Sequence, residues 1–154
     1  MATISLANID SDIKRHLSII GKRLYDKEGK NLFSNITVSS AEPGIFTQYI
    51  AAAAQNIAGA LSPFVTSYND TTITLTGSRF NTELEKALQN AGKSYAILFT
   101  VGEYLAMTHP ELAEKYYRDA LGMMNTIVAT AYKKKSPTVA TADPLSVSTS
   151  ITNS

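Results

Sequence analysis

The chain has 154 residues, of which 44% are hydrophobic and 18% are charged, and its formal net charge is +1. These values are typical of one globular domain that buries its own core and carries terminal extensions. So small a charge argues against a nucleic-acid-binding domain, which carries a basic stripe, and the absence of cysteine excludes disulfides, thiolate metal sites and cysteine nucleophiles.

The N-terminal residues predict no signal peptide, because they contain no basic region and no long apolar run. Apolar residues then recur every three or four positions from Ile9 to Leu24 and predict a first helix over about residues 11–25, capped by Asp10 or Ser11. The longest apolar stretch, residues 95–107, is too short and too polar to cross a bilayer, so we expect a soluble protein made in a cytoplasm.

The next part of the chain predicts a short strand and a second helix. Residues 36–38 are Ile-Thr-Val, and β-branched residues favour an extended backbone. Ser39 and Glu42 have the spacing of a capping box, and Pro63 would stop a helix near Ser62. The expected apolar face of this helix consists of Ile45, Tyr49, Ile50, Ala53, Ile57, Ala60 and Leu61.

Two β-branched and aromatic runs, residues 64–68 and 71–76, flank Asn69-Asp70 and predict a β-hairpin. An isolated hairpin is only marginally stable in water. We therefore expect it to pack on the helices, to pair with residues 36–38, or to pair with another subunit.

Residues 79–107 carry the most regular apolar stripe of the chain and predict a long third helix. Thr108 and Glu111 have capping-box spacing and Pro110 suits a first helical turn, so a fourth helix is expected to run to about Lys133. The short connection makes the two helices antiparallel neighbours. The predicted stripes are Phe80, Leu84, Ala87, Leu88, Ala91, Tyr95, Leu98, Gly102 and Leu105, followed by Ala113, Tyr116, Tyr117, Ala120, Leu121, Met124, Ile127, Val128 and Ala131.

Residues 136–154 are rich in Ser and Thr and nearly uncharged, so alone they bury too little apolar surface to offset the entropy of ordering. They are either a disordered tail or an arm that orders on a partner. The predicted organisation is mainly α: a four-helix-bundle-like domain over residues 1–135 with a hairpin insertion at about 64–76, and an extended or disordered C-terminal arm over 136–154.

No set of residues indicates catalysis, a cofactor or a metal site. His16 and His109 have no ligand-spaced partners, and acidic pairs at the starts of the last two helices are explained by the helix dipole. Those pairs are Glu83 with Glu85 and Glu111 with Glu114. We therefore predict a protein that is not an enzyme and holds no cofactor.

Two further features leave alternatives open. Gly92, Gly102 and Gly122 lie inside predicted helices, where they mark either tolerated slack or close approach of a neighbouring helix. Three consecutive lysines at 133–135 are either a solvated helix end that complements the dipole or a contact for phosphate or an acidic partner.

The helix pair around residues 95–99 (YAILF) and 108–117 (THPELAEKYY), with the preceding hairpin and the trailing arm, resembles the small adaptor proteins that form head–tail connector rings in tailed bacteriophages. More loosely, it resembles the ring proteins of the crAss-like phages. The resemblance covers most of residues 10–135 at the level of pattern. It implies a virion protein without catalytic residues, assembled in the host cytoplasm into a homo-oligomeric ring of about twelve copies.

The resemblance also implies partners, namely the portal above the ring and other tail or connector proteins, with no membrane involved. The low net charge implies at most non-specific contact with DNA in the channel. The alternative function is a soluble helical binding or regulatory module, of chaperone or inhibitor type, that acts through protein–protein contacts.

The hairpin and the arm are predicted to carry the partner interface, because strand edges offer unpaired backbone groups and the arm has spaced apolar residues. The predicted interface residues are Phe64, Tyr68, Ile73, Leu75, Lys133, Lys134, Lys135, Val139, Leu145, Val147 and Ile151.

Overall fold

A computed structural model of the chain describes residues 1–23, 44–76, 81–107 and 109–133. Over these residues the protein is mainly helical, with a small three-stranded antiparallel sheet, which confirms the predicted fold class. In chain order the elements are β1 (Ala2–Ser5), α1 (Asp10–Arg23), α2 (Ile45–Ala60), β2 (Val65–Tyr68), β3 (Thr72–Leu75), the 3-10 helix Thr82–Leu84, α3 (Glu85–Ala106) and α4 (Pro110–Ala131).

The first helix follows the prediction closely. Its apolar stripe, Ile9 with Ile13, Leu17 and Ile20, is buried, and α1 packs on α3. Two acidic residues, Asp10 and Asp12, lie in its first turn, where the helix dipole favours negative charge.

The second helix begins later than predicted, at Ile45, with Gly44 at its N-cap. The predicted strand at residues 36–38 and the capping box of Ser39 and Glu42 lie outside the described residues. Tyr49 and Ala60 are only partly buried, because the buried face is shifted toward other positions. That face consists of Phe46, Ile50, Ala53, Ala54, Ile57, Ala58 and Leu61.

The predicted hairpin is present, and a strand that the sequence did not reveal completes its sheet. β2 and β3 pair around Asn69, whose Oδ1 accepts hydrogen bonds from the N–H groups of Thr71 and Thr72 at 3.0 and 2.9 Å. On its other side β3 pairs with β1, so that Ile4 lies opposite Ile73. The strand order is therefore β1-β3-β2, and α2 contacts both strands of the hairpin.

The last two helices form the predicted antiparallel pair. α3 begins at Glu85, later than expected, because residues 82–84 form a 3-10 turn. α4 has Pro110 in its first turn as predicted, but its N-cap is His109 rather than Thr108, which itself lies outside the described residues.

The predicted stripe of α3 is only partly correct. Leu98 is half-buried rather than buried, and Ala87 is exposed, whereas Ala96, Thr100 and Val101 are buried. The reason is that α3 is the central helix, in contact with α1, α2, α4 and β1, so it buries more than one stripe. In α4 the prediction is wrong at Leu121, which is 63% exposed.

Glycines in α3 mark places where neighbours approach the helix closely. A Cβ atom added at Gly92 would lie 2.5 Å from Cγ2 of Ile4, and one at Gly102 would lie 3.2 Å from the ring of Tyr117. At Gly122 nothing lies within 4 Å of such an atom. The predicted close approach of a helix is thus found at Gly102, against α4, whereas the close neighbour of Gly92 is strand β1.

Candidate functional site

The two edges of the sheet differ in whether side chains of the described residues cover their backbone groups. At the β1 edge, Oε1 of Glu85 accepts a hydrogen bond from the N–H of Thr3 at 2.9 Å. The amide of Gln89 accepts from the N–H of Ser5 at 2.6 Å and donates to the carbonyl of the same residue at 2.7 Å. Side chains of α3 thus occupy the backbone groups that another strand would otherwise use.

The β2 edge, by contrast, is open on the part of the chain that the structure describes. β2 is the terminal strand of the sheet, and its residues from Thr66 to Tyr68 are exposed, Tyr68 at 54%. Because the N–H of Asn69 donates inward to the carbonyl of Thr72, strand alternation points the N–H and carbonyl of Tyr68 outward. These backbone groups are available to a further strand.

A shallow groove runs between this edge and the neighbouring face of α2. It consists of two contiguous depressions that share Gln55 and Tyr68. The helix side is formed largely by small or uncharged residues, and among the lining residues that the structure describes only Asp70 is charged. The lining residues are Gln48, Ala51, Ala52, Gln55, Asn56, Ala58, Gly59, Ala60, Ser62, Val65, Thr66, Ser67, Tyr68, Asn69 and Asp70.

Gly59 lies in the lining of this groove, and no atom of a neighbouring element packs on it. An added Cβ atom there would meet nothing within 4 Å, unlike at Gly92. A glycine inside a helix costs up to about 1 kcal/mol relative to alanine. Gly59 is therefore exposed in the lining of the groove and has no close neighbour of the kind found at Gly92.

The structure corrects part of the predicted partner interface. Phe64, Ile73 and Leu75 are buried in the chain's own core, because β3 is the central strand and α2 covers its apolar face. Tyr68 and Lys133 are exposed as an interface requires. The other predicted residues, Lys134, Lys135, Val139, Leu145, Val147 and Ile151, lie outside the described residues.

The end of α4 lies beside the start of β2. The ring of Tyr132 packs edge-on against that of Phe64, with centroids 4.9 Å apart.

A second polar feature, which the sequence did not indicate, joins α2, α3 and α4. Burial raises the pKa of Tyr117 to about 12, and a hydrogen bond with Glu103 and the negative charge of that carboxylate act in the same direction, with a smaller effect of Tyr49. Burial also raises the pKa of Tyr95, which is partly offset by its hydrogen bond with Asn56 at 3.1 Å. Both hydroxyls are protonated at neutral pH and act as hydrogen-bonding links between helices.

The residues considered for chemistry are not brought together. Glu83 and Glu111 are exposed at helix starts, as expected from the dipole, and His16 and His109 lie on different elements. In the described ranges no group of three or more His, Asp or Glu residues is placed to hold a metal ion. Nor is any described helix both long and apolar enough to cross a membrane.

Comparison of the chain with models of protein families, with curated proteins and with solved structures gives no match. The open edge of β2 lies next to a weakly apolar surface whose described lining residues are uncharged except for Asp70. Such an edge is suited to an extended polypeptide segment.

Proposed function

We propose that the protein is a non-enzymatic structural subunit that assembles into the head–tail connector ring of a tailed bacteriophage, beneath the portal and around the DNA channel. The observation that carries the assembly part of this proposal is the open β2 edge beside a groove lined mostly by uncharged residues, on a sheet whose other edge is covered by Glu85 and Gln89. The phage and ring parts rest on the resemblance of residues 95–99 and 108–117 to connector adaptors.

The rest of the architecture is compatible with such a role. An antiparallel helix pair forms a rigid body that a ring can repeat, and Tyr132 at the end of α4 packs on Phe64, the residue before β2. The net charge of +1 suits a protein that touches DNA at most non-specifically. The proposed partners are further copies of the chain, the portal and neighbouring tail proteins, within the virion.

The groove also favours a second candidate, a helical binding or regulatory module. A strand edge accepts an extended segment of another protein as readily as one from another copy. The two candidates differ in what the purified chain does alone, because only the ring subunit has to associate with itself.

Light scattering over a concentration series, combined with electron microscopy of the same samples, tests the proposal. We expect ring-shaped oligomers of cyclic symmetry, alone or after mixing with the portal protein of the same phage. Tyr68→Lys should reduce assembly strongly, since a lysine on an edge strand opposes further pairing. The matched control Asn125→Lys, on the exposed face of α4, should assemble like the wild type.

A chain that remains monomeric at every concentration, and also with portal protein, would contradict the ring proposal. If it then bound an extended peptide at the β2 edge, the binding-module alternative would be correct. Equal loss of assembly in both lysine variants would show that the added charge, rather than the strand edge, is responsible.

A further inference from the structure

A carboxylate lies beside aromatic rings where α2, α3 and α4 meet. Phe99 and Glu103 are four positions apart in α3, so they lie on the same face of that helix. The ring of Tyr117 in α4 packs edge-on against that of Phe99, with centroids 6.4 Å apart, and its hydroxyl donates a hydrogen bond to Glu103. Tyr49 in α2 is close enough to act electrostatically on Tyr117. We call these four residues the Glu103 site.

The rings of the site are held in place by the chain's own packing. Phe99 stacks on the buried ring of Tyr95, with centroids 5.7 Å apart, and the hydroxyl of Tyr95 is held by Asn56 at 3.1 Å. Ring atoms of Tyr117 lie 3.2 Å from the point where a Cβ atom at Gly102 would be. A ligand that binds here therefore does not have to order these rings, which lowers the entropic cost of binding.

The charge of Glu103 is not neutralised within the part of the chain that the structure describes. The ion pairs between described side chains join Arg15 with Asp12 and Arg118 with Glu114. Tyr117 uses one acceptor site of the Glu103 carboxylate, which offers about four. All four residues of the site are partly exposed, so a cation can reach the remaining acceptor sites from solvent.

A guanidinium group fits this combination of carboxylate and rings. It is planar, binds a carboxylate through two parallel hydrogen bonds and stacks on aromatic faces, whereas an ammonium group acts as a point charge. We propose that the Glu103 site binds an arginine side chain of a partner protein. None of its four residues lines the groove beside β2, so the site is separate from the proposed assembly surface and does not depend on ring formation.

Titration of the full-length, isotope-labelled chain with capped amino acids, followed by NMR, tests this site. The probe is N-acetylarginine amide. N-acetylcitrulline amide is the matched neutral probe, because it has nearly the same shape without the charge. We expect the arginine probe to shift the resonances of residues 99–103 and of Tyr117 in a saturable manner. The citrulline probe should bind roughly tenfold more weakly, and N-acetyllysine amide should lie between the two.

Variants assign the binding to individual side chains. Glu103→Gln should weaken binding of the arginine probe roughly tenfold, since the amide oxygen still accepts the hydrogen bond of Tyr117 but carries no charge. The matched control Glu111→Gln, at an exposed carboxylate in the first turn of α4, should bind like the wild type. Phe99→Leu and, separately, Tyr49→Leu remove one ring each and should weaken binding several-fold. Circular dichroism shows whether each variant is folded, and either ring variant suffices if the other is not.

The possible results bear on different parts of the proposal. Equal affinity for the arginine and citrulline probes would overturn recognition of the charge. Unchanged binding in Glu103→Gln, or an equal loss in Glu111→Gln, would contradict the assignment to Glu103. Full affinity in the folded ring variants would rule out stacking on the rings. Tighter binding of free arginine than of the capped probe would identify the free amino acid, rather than a protein side chain, as the ligand. None of these results would alter the ring proposal, which is tested by self-association.

Discussion

Replacement of Gly92 by alanine is the most direct test of the contact between α3 and the sheet. The new methyl carbon would lie 2.5 Å from Cγ2 of Ile4 and 3.9 Å from Cδ1 of Ile57. The first distance is far shorter than any carbon–carbon contact in a packed core. Ile4 is fully buried and β-branched, so its methyl group has no free rotamer space in which to move aside.

The expected magnitude follows from two opposing effects. Alanine improves helix propensity at this position by about 1 kcal/mol. Overpacking of a tight core site costs about 1–3 kcal/mol. Relief of the clash requires β1 to move away from α3, which lengthens the hydrogen bonds of Thr3 with Glu85 and of Ser5 with Gln89. We therefore expect Gly92→Ala to destabilise the fold by up to about 2 kcal/mol net.

Chemical denaturation of the wild type and of two matched glycine variants measures this effect. In Gly122→Ala the helix gains the same propensity, but nothing lies within 4 Å of the new methyl carbon. That control should be more stable than the wild type by up to about 1 kcal/mol. A Gly92→Ala protein as stable as Gly122→Ala would show that α3 and β1 are not in close contact.

Two further predictions concern the polar contacts of the helices. Gln89→Ala should lower stability by about 1–3 kcal/mol and increase self-association, because it leaves the N–H and carbonyl of Ser5 unpaired at a strand edge. Denaturation measures the stability and light scattering measures the self-association. Asn90→Ala, at an exposed position, is the control and should change neither. Equal stability and equal self-association of the two variants would contradict the role of Gln89 in covering the edge. For Tyr117, burial raises the folded-state pKa to about 12, above its ordinary value of 10.0, so its contribution to stability is complete below pH 10 and is lost as pH rises through 12. Unfolding free energies measured across that range should fall less in Tyr117→Phe than in the wild type, and parallel curves would show that this hydroxyl does not contribute.

The elements that could be predicted from the sequence are those whose signals are local. Apolar residues recur with the helical period from Ile9 to Ile20 and again on both sides of Pro110. Residues three or four positions apart lie on the same face of a helix, so this pattern is visible in the sequence. The hairpin could also be predicted from the sequence, because two β-branched runs flank Asn69, whose side chain accepts the hydrogen bonds of the turn. The predicted starts of α2 and α3 were less accurate. α3 begins at Glu85 because the residues before it form a 3-10 helix rather than its first turn.

Which apolar residues of the hairpin are buried depends on contacts between elements that are distant in sequence. Ile73 and Leu75 were predicted to contact a partner, but β1 pairs with β3 and α2 covers its face, so both are fully buried. Four residues at the N-terminus carry too little periodicity to predict a strand, and their partner lies about seventy positions away in sequence. The open edge of β2 became visible only once that pairing was known.

The same distinction applies to the groups that close the β1 edge. Glu85 was expected to favour its helix start through the dipole, which is a local effect. Its hydrogen bond with Thr3 joins residues 82 positions apart, and that of Gln89 with Ser5 joins residues 84 apart. Helices and hairpin turns can be predicted from local sequence because their hydrogen bonds and side-chain contacts join residues that are close in sequence. The choice of which edge is covered and which is open depends on long-range contacts that exist only after the chain has folded.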